Sequence, residues 1–239
     1  MIYVTGDTHG RIERFTDNNL GDEGWTKDDY LIVCGDFGFI FAESDEYARA
    51  REERELDYLE ESKPYTICFI DGNHENFPRI FSYPEEEWNG GRIHRIRKNI
   101  IHLMRGQVFE IEGRTFFTMG GAYSIDRGFR RLGESYWNEE LPCEEEYDEA
   151  LKNLDRYGKK VDYIITHTAP TPVVREIGFG DFSLLINDLR LTGFLEALME
   201  DVSYGHWYFG HFHTDIDDVL NYGKYGPLTA CSLAVYVLE

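Results

Sequence analysis

The sequence predicts an α/β (α+β) fold in which strands alternate with helices. Six short apolar runs have the length of β-strands and are rich in β-branched or aromatic residues, as is typical of strands buried on both faces. Segments between these runs have apolar residues at helical spacing, and such alternation indicates βαβ units. The six runs are residues 2–4, 30–34, 66–70, 116–119, 163–166 and 206–209.

Three helices are predicted along the chain. Residues 43–62 are highly charged, and their apolar residues, such as Leu56 and Leu59, recur at helical spacing. This pattern is typical of an exposed amphipathic helix. An acidic helix is expected from about residue 143 to 157, and a further helix from about residue 183 to 199.

Two segments depart from this alternation. Residues 92–120 alternate polar with apolar side chains, and Glu112-Gly113 within them is typical of a hairpin turn. Residues 215–238 contain short apolar stretches separated by glycine, without a helical pattern. Both segments are predicted to add antiparallel strands to the sheets.

Composition limits the class of protein. The 239 residues, 42% of them hydrophobic, contain no linker-like tract, so a single domain over residues 1–239 is expected. A net charge of -21 disfavours long nucleic acid as a partner, because nucleic acid requires a basic surface. No apolar run approaches the roughly 20 residues of a membrane helix, and the first residues lack a secretion signal. A cytoplasmic protein without a membrane partner is therefore expected, and its oligomeric state stays open.

Polar side chains follow five of the six apolar runs, at the point where each run ends. The carboxyl ends of strands in open α/β sheets meet at one edge, where ligands bind. Asp, His and Asn together suit manganese, iron or zinc better than calcium or magnesium, which prefer oxygen alone. The five blocks are Asp7-Thr8-His9, Gly35-Asp36, Asn73-His74-Glu75, Thr166-His167 and His211-Phe212-His213.

This set of side chains predicts a hydrolase of phosphate esters that uses two divalent ions. Two ions about 3.5–4 Å apart can activate a bridging water and hold the phosphoryl oxygens during an in-line displacement. One carboxylate has to bridge the ions, and Asp36 is the candidate. His74, beside the predicted ligand Asn73, is then the candidate that donates a proton to the leaving oxygen.

The order of the blocks resembles the calcineurin-like metallophosphoesterase superfamily, whose signature is D-x-H, G-D, G-N-H-[DE], a lone His and G-H-x-H. The resemblance extends from Asp7 to His213. It implies two facing mixed β-sheets flanked by helices, as a four-layer αββα sandwich, with His74 as the proton donor. The ligands that it implies are Asp7, His9, Asp36 and His213 for one metal, and Asp36, Asn73, His167 and His211 for the other.

One departure separates the chain from the protein phosphatases of this superfamily. Those enzymes extend the second block to G-D-x-x-D-R-G, whereas this chain continues with Phe37-Gly38-Phe39. Phe39 stands where the phosphatases have the aspartate that pairs with the catalytic histidine. The residue that orients His74 is therefore not identified by the sequence.

The substrate is the least determined feature. Arg127, Arg130 and Arg131 follow the fourth apolar run and are candidate phosphate ligands, although pairing with surface acids explains them equally well. The acidic surface favours a phosphomonoesterase for a small phosphate ester, a nucleotide or a phosphopeptide or phosphoprotein. A nucleotide phosphodiesterase or nuclease is the alternative enzyme, and a non-catalytic scaffold with the same fold is the alternative from another class. His94, His102 and His206 lie outside the blocks and are expected to be structural.

Overall fold

Two mixed β-sheets form the centre of the molecule, whose computed structural model describes residues 1–16, 19–177, 188–220 and 225–238. Within these residues one sheet has seven strands and the other has five. The strands are β1 (Ile2–Thr5), β2 (Tyr30–Val33), β3 (Thr66–Phe69), β4 (Glu85–Trp88), β5 (Gly91–Arg97), β6 (Ile100–Leu103), β7 (Gln107–Ile111), β8 (Arg114–Met119), β9 (Lys160–Thr166), β10 (Ser203–Phe209), β11 (Leu228–Ala230) and β12 (Tyr236–Leu238).

Each sheet has a parallel centre and at least one antiparallel edge. The larger sheet has the order β12-β1-β2-β3-β6-β5-β4, with β1, β2, β3 and β6 parallel. The smaller has the order β11-β10-β9-β8-β7, with β8 to β11 parallel. All six predicted strands are present, so the predicted mixed α/β class is confirmed.

The prediction of antiparallel additions is only partly correct. The β7–β8 hairpin turns at Glu112 and Gly113, both with positive φ, and β12 pairs antiparallel with β1. However, β11 runs parallel to β10, with Trp207 opposite Leu228. The connection after β10 returns the chain to the starting end of the sheet before β11 begins. Strand direction depends on that path, which the residues of a short strand do not encode.

The helices cover the outer faces of the sheets. Asp45 begins α1 (Glu46–Ser62) by accepting hydrogen bonds from the backbone N–H groups of Tyr47 and Ala48, as an N-cap residue does. The first two predicted helices are confirmed within three residues. The third falls partly on residues 183–187, which lie outside the described residues. The remaining helices are α2 (Phe77–Phe81), α3 (Glu144–Arg156), α4 (Thr171–Glu176) and α5 (Leu189–Asp201).

Three apolar clusters give the order of the layers. The central cluster joins Val4 and Ile32 of the larger sheet to Phe116 and Ile165 of the smaller, so the two sheets pack face to face. A second cluster packs α3 and α5 on the smaller sheet, and a third packs α1 on the larger. The described residues contain no helix that is long and apolar enough to cross a membrane.

Candidate metal centre

Four side chains from three loops converge at the carboxyl ends of β1, β2 and β10. Each of Asp7, His9, Asp36 and His213 offers a ligand atom, and these atoms all lie within 4.8 Å of one another. The Nε2 atoms of His9 and His213 face each other at 2.9 Å, and His9 Nε2 lies 3.8 Å from Asp36 Oδ2. Carboxylate and imidazole lone pairs that converge in this way fit a divalent transition-metal ion.

A second convergence shares Asp36 with the first. His167 Nδ1 lies 2.8 Å from the Cys34 carbonyl oxygen, which can only accept, so Nδ1 carries the ring proton and Nε2 presents a lone pair. Nε2 lies 3.3 Å from Asp36 Oδ1 and 3.2 Å from Asn73 Oδ1. Three acceptor atoms thus meet where a cation would satisfy them all, and the ring of His211 lies beside them, 4.9 Å from that of His167 between centroids.

The orientation of Asn73 is fixed by side chains of the loop after β8. Asn73 Nδ2 donates to Ser124 Oγ at 3.1 Å, and Ser124 Oγ donates to the buried carboxylate of Glu140 at 3.0 Å. Because the amide nitrogen is engaged there, Asn73 Oδ1 is the atom turned towards His167. Neither Ser124 nor Glu140 follows a recognisable sequence pattern, so this support was not predicted.

The backbone at the site is held in the left-handed region. His9, Asp36, His211 and His213 have φ values of 49°, 46°, 72° and 50°. These are four of the eight non-glycine residues with positive φ in the described part of the chain. Such conformations cost on the order of 1–3 kcal/mol each and cluster at functional sites, where surrounding contacts maintain them.

Two glycines allow the ligand loops to approach each other. A Cβ on Gly72 would lie 2.1 Å from Asp36 Oδ1, and a Cβ on Gly35, whose φ is +87°, would lie 2.1 Å from His167 Nδ1. Real Cβ atoms essentially never approach other atoms this closely. Both positions therefore require glycine if Asp36 and His167 are to converge.

Burial and neighbouring charges shift the pKa values of the predicted ligands in different directions. Burial raises the pKa of Asp7 well above its usual value, although His167 opposes the shift. Burial also acts to raise the pKa of Asp36, but the histidines around it, led by His167, outweigh that effect and lower it. Burial lowers the pKa of His9 to about 4 and that of His211 to about 3, so both rings are neutral near pH 7 and have a lone pair to offer.

His74 lies at the edge of this centre without being directed into it. Its backbone N–H donates to Asp36 Oδ1 at 2.8 Å, and its ring Nε2 lies 2.9 Å from Arg130 Nη2. Since a guanidinium can only donate, His74 Nε2 accepts this hydrogen bond. Burial and Arg130 lower the pKa of His74, while Asp36 opposes them.

Phe39 does not replace the aspartate of the protein phosphatases. Its side chain is fully buried and packs against Phe15 and Phe37, with ring centroids 5.6 and 4.8 Å away. Arg130 forms a hydrogen bond with the His74 ring and is held in turn by Asp126 at 2.8 Å, while the rings of His9 and Phe41 also pack against His74. Arg130 is thus the residue in a position to orient His74.

The three candidate substrate arginines point in different directions. Arg130 lines a cavity next to the predicted metal ligands. Arg127 is bound to the buried Glu140 at 2.8 Å and stacks on the ring of Tyr123. Arg131 has 81% of its side chain exposed and faces Glu134 at 3.5 Å. Of the three, the geometry brings only Arg130 to the site.

The cavity has a volume of about 420 Å³, which suits a small organic molecule. Asp36, Asn73, His74, His211 and His213 form the part of its lining that belongs to the predicted metal centre. The rest of the lining combines apolar and polar side chains, namely Tyr123, Ile125, Asp126, Arg130, Thr168, Val174, Asp188 and Phe212.

A buried polar network supports the site from behind. Asp71, at the end of β3, accepts hydrogen bonds from Arg105 Nε at 2.8 Å and from His102 Nε2 at 3.0 Å. Arg105 also reaches Glu146 on α3, and His94 stacks on His102. His94 and His102 therefore have structural roles, as expected, while the partnership between Asp71 and Arg105 had no local signal in the sequence.

Two comparisons found similarity to known proteins. A family model for the calcineurin-like phosphoesterases matches residues 1–215. A Staphylococcus aureus protein provisionally named a 5′-nucleotidase, solved with α-ketoglutarate, has a TM-score of 0.48 and 14% identity. The match covers 100% of this chain and 51% of the other, so the chain spans about half the length of that protein. Phosphopantetheinyl hydrolase from Mycobacterium tuberculosis has a TM-score of 0.46 and 13% identity, with coverage of 97% and 89%. No curated protein matched the sequence.

Proposed function

The chain belongs to the calcineurin-like phosphoesterase family, and we propose that it is a phosphoric ester hydrolase, specifically a two-metal phosphomonoesterase for small phosphate esters. The observation that carries the proposal is the pair of convergent acceptor groups that share Asp36. The proposed ligands of the two ions, which would be manganese, iron or zinc, are Asp7, His9, Asp36, Asn73, His167, His211 and His213.

The protein residues would hold and orient the ligands, and the bound ions would act on the substrate. Bound divalent ions would supply an activated water and charge stabilisation for the phosphoryl group. His167 is kept in the tautomer that a ligand needs by its Nδ1–H bond to the Cys34 carbonyl, and Asn73 is oriented by Ser124. These supporting bonds are made by the protein alone, so the ligand positions are fixed before substrate binds.

His74 is the proposed proton donor to the leaving oxygen. Without substrate, its Nε2 accepts a hydrogen bond from Arg130 and therefore has no proton to give. A phosphate group in the cavity would compete for the Arg130 guanidinium, because planar guanidinium forks bind phosphate oxygens in pairs. Binding of a phosphate ester would then free His74 Nε2 to take up a proton from solvent, which the ring would pass to the leaving oxygen.

A small monoester is supported by the size of the cavity and by the charge of the protein. A volume of about 420 Å³ accommodates a phosphate with a modest leaving group, and the net charge of -21 disfavours a polyanionic chain. Small phosphate esters as partners, a cytoplasmic location and a single domain remain predictions from the sequence.

The test combines metal content with a choice of substrate. Protein loaded with manganese, iron or zinc is expected to hold about two ions per chain and to hydrolyse p-nitrophenyl phosphate faster than bis-(p-nitrophenyl) phosphate. Less than one ion per chain with no hydrolysis of either ester would refute the enzyme and favour a scaffold. Hydrolysis of the diester alone would overturn the monoester preference in favour of a phosphodiesterase.

Two variants separate metal binding from proton donation. Asp36→Asn should lose metal and activity together, whereas His74→Asn should keep its metal and lose mainly kcat, by about 10²-fold to 10⁴-fold. His206→Asn is the matched control, since His206 bonds Thr229 away from the centre and should change neither quantity. Loss of metal in His74→Asn would contradict the role of His74 as proton donor.

A further inference from the structure

Asp188 lies at the start of a helix, but its side chain does not cap that helix. It is the N-cap residue of α5, a place where aspartate commonly accepts hydrogen bonds from the first backbone N–H groups. No such side-chain bond is present at Asp188. Its side chain instead lines the cavity beside the predicted metal centre, with only 7% of the residue exposed.

The carboxylate of Asp188 is only partly satisfied by the protein. The Tyr123 backbone N–H and the Thr168 hydroxyl act to lower the pKa of Asp188 and so favour its charged form. Its Oδ1 atom, by contrast, is buried and has no hydrogen-bond partner among the described residues. Burial raises the pKa of Asp188 to about 6, although His167 opposes the shift. A buried acceptor without a partner is uncommon in native proteins and requires an explanation.

Nearby positive groups compensate this carboxylate only in part, because His167 and Arg127 act to lower its pKa but burial still raises it to about 6. Arg127 is bound to Glu140, and Arg130 is bound to Asp126 and His74. A neutral donor such as a hydroxyl would bind the carboxylate on its cavity side, but it would add no positive charge. A protonated amine would do both, and hydrogen bonds between two charged groups are stronger than neutral ones.

The cavity is lined by groups that would bind a molecule carrying both a negative and a positive group. The predicted metal ligands and Arg130 would receive a phosphate, while Asp188 would receive a cation from the same molecule. The apolar side chains of Val174 and Ile125 also line the cavity and offer contacts to a hydrocarbon part of the same molecule. A positive group also reduces the net negative charge of the substrate, and hence its repulsion by a protein of net charge -21.

We propose that Asp188 is a specificity-determining residue that binds a protonated amine on the leaving group, so that the preferred substrates are aminoalkyl phosphate monoesters. This inference rests on the proposed phosphomonoesterase function. Asp188 acts on the choice of substrate and takes no part in bond cleavage.

The test compares esters that differ only in the amine. The metal-loaded protein is given ω-aminoalkyl phosphates of increasing chain length and the alkyl phosphates of matching length, and released inorganic phosphate is measured. At least one aminoalkyl phosphate should exceed its alkyl counterpart by about tenfold or more in kcat/KM. Asp188→Asn should bring that ratio close to one, whereas Asp28→Asn, which removes a carboxylate that is 74% exposed, should leave it unchanged.

The outcomes separate this inference from the function on which it rests. If no phosphate ester is hydrolysed, both are overturned. If p-nitrophenyl phosphate is hydrolysed but the wild-type ratio is close to one, only the role of Asp188 is overturned, whether or not Asp188→Asn folds. A preference for hydroxyalkyl phosphates that disappears in Asp188→Asn would overturn the amine and indicate a hydroxyl instead.

Discussion

Gly72→Ala tests directly whether close packing of two loops creates the metal centre. The new methyl carbon would lie 2.1 Å from Asp36 Oδ1 and 2.4 Å from the Asp36 backbone nitrogen. Ordinary contact begins at 3.4 Å, so one of the two loops has to move by more than 1 Å. Because φ of Gly72 is not in the left-handed region, the effect is steric and does not arise from backbone strain.

The size of the effect follows from the position of Asp36. Asp36 is the carboxylate shared by the two proposed ion positions, and its Oδ1 also accepts the His74 backbone N–H at 2.8 Å. A displacement of about 1 Å in a catalytic group costs roughly 10²-fold in rate. Gly72→Ala should therefore lose at least about 10²-fold in kcat for p-nitrophenyl phosphate, together with part or all of one metal ion per chain.

The assay needs a glycine that tolerates the same change. Gly193 in α5 has nothing within 4 Å of an added Cβ, and alanine there should stabilise the helix by about 1 kcal/mol. Metal content, kcat and thermal unfolding are measured for both variants. Full metal content and full kcat in Gly72→Ala would refute the steric reasoning.

Three further predictions concern stability. Arg105→Met should lower the free energy of unfolding by about 3–5 kcal/mol in urea, because it leaves Asp71 buried without its partner. Asp45→Ala removes the N-cap of α1 and should cost about 1 kcal/mol without changing metal content. In metal-free protein at pH 8, Asp188→Asn should be more stable than wild type by up to about 3 kcal/mol, since the folded state binds the Asp188 proton more tightly (pKa about 6) than the unfolded chain does. This gain should disappear as the pH falls from 6 to 4, and a gain independent of pH would contradict the burial of an ionised Asp188.

The positions of the predicted ligands could be anticipated because each depends on a short segment. A run of β-branched residues specifies a strand, and the side chains after parallel strands meet at one edge of the sheet. Asp7 and Asp36 follow neighbouring parallel strands of the larger sheet and come together by this rule, whereas His213 follows β10 of the smaller sheet and joins them because the two sheets face each other. The two facing sheets were available only through the family resemblance, since no local pattern specifies how sheets stack.

The supporting residues could not be anticipated, for physical reasons that differ from case to case. Arg105, between β6 and β7, pairs with Asp71 after β3, and either residue alone has the pattern of a surface charge. Asp188 has the residue type of an N-cap, and only the packing of the loop after β8 and the residues that follow β9 makes it a cavity residue. Arg127 and Arg130 are three positions apart, yet the short 3-10 helix Arg127–Phe129 sends their side chains to different partners.

The pairing of β12 with β1 bears on how the molecule folds. Ile2 lies opposite Leu238, and the Thr5 hydroxyl donates to the Ala234 carbonyl at 2.8 Å, directly before the segment that carries Asp7. Contacts between residues so far apart in sequence form slowly. The whole intervening chain loses conformational entropy before the favourable energy of these contacts can offset that loss. The environment of Asp7 is therefore completed only when the strands of both sheets are in place. During refolding, metal would then be taken up only after the entire fold has formed, and a partly folded stage would not bind it.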